Sequence, residues 1–211
     1  MKPDFARAKS YVFGRLAREL PPQLTYHSLW HTRDDVLPAA RRLSRCSRLD
    51  DETRLLLATA ALFHDTGFLH NYNDHESEGI AIARAALPGL GYSSAQVEAI
   101  GHLIAATCMP QQPSDDLQAL MCDADLDLLG REDFWGLNRK LLAELRHYGL
   151  APESEAQWLT GQTRFLEEHR YFSAAARALR DEGKARNIAL MHRALEALNG
   201  SGGPYVEQGG D

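Results

Sequence analysis

Cysteine is scarce: Cys46, Cys108 and Cys122 are the only three, an odd number without the close pairing of a structural zinc site. That excludes a disulfide framework and fits a reducing, cytoplasmic setting. Long hydrophobic runs are missing too. The longest, Leu55 to Phe63, falls well short of the roughly 20 apolar residues that span a bilayer. The first twenty residues mix Lys2, Asp4, Arg7, Lys9, Arg15, Arg18 and Glu19 into their apolar positions, so no signal-peptide core is present. Basic excess is lacking as well. With 23 Lys and Arg against 29 Asp and Glu the formal charge is -6, which argues against bulk nucleic-acid binding while leaving room for one phosphate pocket. Strand-type alternation is absent, and no Asn-Gly sits between alternating apolar runs. A soluble, cytoplasmic protein without a membrane partner is the expectation.

What remains is helix after helix. Apolar residues at 5, 8, 12, 13, 16 and 20 repeat near 3.6 and predict a helix over Phe5 to Leu20, ended by Pro21-Pro22. Further helices are predicted over Ser28–Ser44, Thr53–His64, His75–Leu87, Ser93–Thr107, Asp115–Leu129, Glu132–Tyr148, Pro152–Arg170 and Ser173–Leu198. Asp50, Asp74, Ser93 or Ser94, and Asp115 are the natural N-caps, and Pro88-Gly89, Gly130 and Gly149 the stops. No linker or repeat divides 1–199. The fold class is all-α: a single-domain helical bundle with a core of about 26–129, a helical extension over 131–199 and a flexible Gly-rich tail over 200–211.

Nine histidines stand out, and those beside helical carboxylates need separate weighing. Ala60-Ala61-Leu62-Phe63-His64-Asp65-Thr66-Gly67 is an apolar helical run that delivers an imidazole and a carboxylate side by side. Adjacent helical residues point about 100° apart, so the pair can share an ion only from beyond a helix end. His31 and Asp125 supply two further ligands of the right type. Two imidazoles and two carboxylates suit a divalent ion such as Mn²⁺, Fe²⁺, Co²⁺, Ni²⁺, Mg²⁺ or Zn²⁺.

The ordered set His31, His64-Asp65, Asp125 on helices resembles the HD-domain superfamily of metal-dependent phosphohydrolases. The phrases Tyr26-His27-Ser28-Leu29-Trp30-His31-Thr32, Leu62-Phe63-His64-Asp65-Thr66-Gly67-Phe68, Asn73-Asp74-His75-Glu76-Ser77-Glu78 and Asp123-Ala124-Asp125-Leu126-Asp127 are similar to its compact bacterial branch. The resemblance implies an HD-type bundle in which His31, His64, Asp65 and Asp125 hold the metal and Asp65, His75 and Glu76 serve catalysis. It implies metal-dependent hydrolysis of a phosphate ester in a small molecule, a nucleotide or cyclic nucleotide first among them. Two alternatives stay open: a two-metal phosphodiesterase of second messengers, with His75 on the second ion, and a non-catalytic, metal-stabilised nucleotide sensor. Phe68 stands where the cyclic-di-GMP hydrolases carry Lys, and Phe68-Leu69 where the stringent-response hydrolases carry Glu-Asp, so the substrate is left open.

Other residues have plainer expectations. His27, one turn before His31, reads as a supporting or surface group, and His102 as a core histidine. His70 reads as solvated or facing substrate, and Asp123 and Asp127 as solvent-facing or supporting. The basic segment through Arg177, Arg180, Lys184 and Arg186 reads as a solvated helix face. Trp30, Trp135 and Trp158 read as packing residues, with Trp30 also able to wall a pocket beside His31.

Overall fold

Nine α-helices and no strand occur among residues 2–200, the part that the computed structural model describes; for 199 and 200 it describes the backbone alone. They are α1 (Phe5–Glu19), α2 (Leu37–Cys46), α3 (Asp51–Phe63), α4 (His75–Ala86), α5 (Ser94–Ala105), α6 (Asp116–Asp125), α7 (Phe134–His147), α8 (Glu155–Glu168) and α9 (Ala174–Gly200). The all-α expectation is met. Residues 201–211, most of the tail expected to be flexible, lie outside the described residues, and Gly200 closes α9. No described helix is long and apolar enough to cross a membrane.

The caps explain several boundaries. Asp4, Asp50 and Asp115 each accept a backbone N–H of the first turn, and Ser93 and Ser154 form capping boxes with Gln96 and Gln157. Ser154 therefore starts α8 later than Pro152 suggested. Asp74 behaves differently from the expected cap: in a left-handed conformation, it accepts from the Ser77 hydroxyl at 2.7 Å.

α3 is the central element, packed by α1, α2, α4, α5 and α6. Every residue from Leu57 to Phe63 is buried, so the helix is enclosed on all sides at its C-terminal end. Removing the Leu62 or Phe63 side chain from water contributes about 2–3 kcal/mol each. That enclosure carries the chain's next two residues, His64 and Asp65, into the interior.

The segment before α2 is a correction in detail. Leu29 and Trp30 begin an α-turn, His31–Val36 widen into a π-helical turn with the Leu37 N–H donating to the Thr32 carbonyl, and α2 follows. Pro38 supplies the reason. It lacks the N–H that would reach the Asp34 carbonyl, and its ring would crowd that oxygen in a regular helix. Likewise α6 stops at Asp125, and a 3₁₀ turn over Asp127–Gly130 replaces the helical continuation expected to Leu129.

One hydrophobic core runs from Ala8 to Met191 without a break. The extension is part of it: α9 packs on α8 and on the turn Asp127–Gly130.

Candidate metal centre

Three chain segments meet at one point. The Nε2 atoms of His31 and His64 lie 3.6 and 3.5 Å from Asp125 Oδ1, and 3.6 and 3.2 Å from Asp65 Oδ2. Two ligand atoms each about 2.1 Å from an ion and about 90–110° apart lie roughly 3.0–3.4 Å from each other. The observed spacing is that of atoms around one cation. His31, His64 and Asp65 form a buried group of potential ligands that can hold a metal ion. Asp125 faces both rings and is less enclosed, its side chain 18% exposed.

Three of the four side chains have one polar atom hydrogen-bonded outward, and all four turn the other to the centre. His31 Nδ1 lies 3.1 Å from Asp35 Oδ2, and His64 Nδ1 lies 3.1 Å from the Ala61 carbonyl, so both rings donate Nδ1–H outward. Gln111 donates to Asp125 Oδ2 at 3.1 Å, and His75 Nε2 lies 3.6 Å from Asp65 Oδ1. His64 Nε2 and Asp65 Oδ2 are buried without a hydrogen-bond partner. Such atoms are costly unless something satisfies them, and a divalent cation would satisfy both. The donor set therefore fits the metal expected from the sequence.

Electrostatics agree. Burial alone would lower the His31 pKa, but hydrogen bonds with Asp125 and Asp35 push it up to about 9. His64 is also raised against its burial, chiefly by the Asp65 charge. Burial works the other way on the acids. His64 still holds Asp65 far below the usual carboxylate range, and the two imidazoles take Asp125 down to about 2. All four side chains are thus drawn toward their charged forms around a common centre.

The centre opens onto a cavity of about 240 Å³. Asp65, His75, Glu76 and Asp125 lie at its polar end. Leu126, Leu128, Leu129, Phe134, Leu141 and Phe165 make its apolar wall, and the Asn138 and Gln162 amides, joined at 2.6 Å, stand among them. The expected catalytic residues Asp65, His75 and Glu76 are brought together; His75 Nδ1 is 3.5 Å from Glu76 Oε2.

Several site features escaped the sequence reading. His27 lines the cavity, and its Nδ1 lies 2.5 Å from Oε1 of the fully buried Glu144. Glu144 also accepts the Tyr72 hydroxyl and the backbone N–H groups of Tyr26 and His27. Burial would raise its pKa, yet the His27 contact and these N–H groups bring it below the ordinary value. Phe68 is stacked between His27 at 4.4 Å and His75 at 3.9 Å, holding both rings at the cavity. The signal for His27 was its place one turn before His31; Glu144, 117 positions away, gave none.

Other expectations are corrected. His102 is exposed rather than in the core; His70, paired with Glu78 at 3.2 Å on the surface, follows the solvated one of its two readings. Asp123 and Asp127 are buried and structural: Asp123 accepts the Phe172 and Ser173 N–H groups, and Asp127 receives Arg180. Arg180 and the buried Lys184 hold α9 inward instead of forming a solvated face. Trp30 lies under Arg131 and Lys140, outside the cavity wall. In comparison with known proteins, no family model, no curated protein and no solved structure matches this chain.

Proposed function

We propose that the protein is a metal-dependent phosphohydrolase acting on a phosphate ester of a small molecule. The observation that carries this reading is the arrangement of inward-facing atoms on His31, His64, Asp65 and Asp125, three of these side chains anchored outward, with two inward atoms buried and unpartnered. A divalent ion at that point supplies a Lewis acid for a phosphoryl oxygen and lowers the pKa of water. Asp35 and the Ala61 carbonyl fix the two imidazoles with Nε2 inward, which maintains their orientation as ligands. Glu76, at the cavity's polar end beside His75, is placed to take a proton from the attacking water. His27, oriented through Nδ1 by Glu144, is placed to return a proton from Nε2 to the departing oxygen.

The resemblance to HD-domain phosphohydrolases agrees with this assignment, and a nucleotide or cyclic nucleotide is the substrate it favours. A second reading draws on one distance. His75 Nε2 sits 3.6 Å from Asp65 Oδ1, the carboxylate oxygen turned away from the first centre, so His75 and Asp65 would be the residues to hold a second ion. Metal analysis separates the two readings, one equivalent per chain against two.

The test is His64→Ala and Asp65→Ala. Each variant should lose bound metal and phosphate release with Mn²⁺ or Co²⁺ across a phosphate-ester panel, while far-ultraviolet circular dichroism stays helical. Full activity in either variant would remove these residues from the mechanism. Tight nucleotide binding by the unaltered protein without any turnover would favour the sensor over the enzyme.

A further inference from the structure

The cavity is poor in positive charge for a phosphate site. Among the described residues no lysine or arginine lines it, whereas Asp65, Glu76 and Asp125 all do. Arg131, tied to Asp35 and Asp133, is no part of the wall. With one divalent ion held, Asp65 and Asp125 would cancel its two charges; Glu76 is a third carboxyl group at the cavity, and the two histidines of the lining, His27 and His75, already face Glu144 and the Asp65 and Glu76 carboxyl groups. A phosphate monoester brings two negative charges to that environment and a diester brings one. At an effective dielectric near 20, one added like charge about 5 Å away weakens binding roughly 100-fold before salt screening.

The rest of the cavity specifies the other half of the ligand. Away from the carboxylates its wall is mostly apolar, Leu and Phe side chains from the 126–129 segment, α7 and α8 together with Met109, and Thr107 and the Asn138–Gln162 amide pair add uncharged polar groups. Sites for drug-sized molecules span about 300–1,000 Å³. At about 240 Å³ this one is filled by something smaller.

We propose that the cavity selects a phosphate diester bearing one negative charge and one uncharged, largely apolar arm of about ring size, and turns away dianionic monoesters. The proposal rests on the phosphohydrolase reading for its chemistry and on the cavity wall for its selectivity. Hydrolysis forms a bond from the water oxygen to phosphorus and breaks the P–O bond to the arm; one water proton ends on the departing oxygen and the other passes to solvent at pH 8. The products are an alcohol or phenol and a phosphate monoester. That monoester is itself a dianion, so the carboxylates that admitted the diester expel the product, and the reaction stops after one bond.

The experiment is calorimetric titration of the Mn²⁺-loaded protein at pH 8 with three probes, accompanied by product analysis. Methyl 4-nitrophenyl phosphate has one charge and a ring, 4-nitrophenyl phosphate has two charges and the same ring, and dimethyl phosphate has one charge and no ring. The first should bind at least about tenfold more tightly than either of the others. It should also yield 4-nitrophenol and methyl phosphate without inorganic phosphate. Leu141→Lys, or Gln162→Lys should the first fail to fold, should move the preference at least about tenfold toward the monoester. Equal or tighter binding of 4-nitrophenyl phosphate, equal binding of dimethyl phosphate, no binding of any probe, or an unmoved preference in a folded lysine variant overturns the proposal. Hydrolysis of the monoester in preference leaves the phosphohydrolase reading standing and removes this one. The expected binding order without turnover of any ester does the reverse.

Discussion

His31 and His64 hold protons on the very nitrogens that a metal would need. Burial opposes the charge, yet Asp125, Asp35 and Asp65 outweigh it and keep both rings cationic at neutral pH in the metal-free protein. An incoming ion must displace those protons, so binding and proton release are linked. The sign follows directly. Below about pH 9, where His31 holds its proton, each displaced proton makes the apparent affinity rise by up to about tenfold per pH unit. Mn²⁺ affinity should therefore climb between about pH 6.5 and 9, and titrations in buffers of different ionisation enthalpy should show protons released. A flat affinity across that range without proton release would contradict the arrangement. The same raised pKa contributes stability below about pH 6.5 that is lost as pH rises through about 9, so added metal should protect the fold most at the alkaline end.

At the scale of elements, the site depends on how closely α4 approaches the end of α3. Thr66 donates its hydroxyl to the Phe63 carbonyl at 2.7 Å, closing the helix, and Gly67 then passes against the backbone of His75. A Cβ on Gly67 would run into the His75 carbonyl, a backbone atom that cannot swing aside. Gly67→Ala should cost about 3 kcal/mol in chemical denaturation and should weaken metal retention by displacing His75 and Glu76 from Asp65. Unchanged stability would mean that α4 is free to shift. The glycine was legible in the sequence as the turn after His-Asp; the reason for it, a close approach to a residue eight positions on, was not. The same division holds elsewhere. Helices capped by Asp50, Ser93 and Asp115 were readable because a cap and a 3.6-residue period are local signals, whereas the Asp4 cap was not picked out. The order of His31, His64-Asp65 and Asp125 was readable because ligand type and helical placement are local too. The widened turn over His31–Val36 lay hidden in the effect of Pro38 on an upstream carbonyl. Glu144, Asn138 and Gln162 were invisible because their role exists only once α7 and α8 fold back over the earlier helices.

The whole molecule is held in that closed arrangement by contacts just past the last candidate ligand. Asp127, two residues after Asp125 and almost fully buried, receives both Nε and a terminal nitrogen of Arg180 at 2.8 Å and lies 2.7 Å from Arg42. It thus joins α2, the 3₁₀ turn and α9. Asn187 donates to the Leu129 and Arg131 carbonyls at 2.8 Å, and Gly183 lets α9 lie directly on Gly130. Removing the shared acid leaves two guanidinium groups without their anion at a largely buried junction, a loss of about 3 kcal/mol by analogy with broken interior ion pairs. Asp127→Ala should lower unfolding stability by that amount. Because the turn it anchors carries Leu128 and Leu129 of the cavity wall and adjoins Asp125, metal and ester affinity should fall with it. Asp127→Asn keeps hydrogen-bond acceptance while removing the charge, so it should lose less than the alanine variant. Both are read by denaturant unfolding beside metal titration. An alanine variant that loses stability yet binds metal and ester like the parent would show that α9 braces the fold without shaping the site. If stability and affinity fall together, the C-terminal helices are as much a part of the centre as the residues that face the ion.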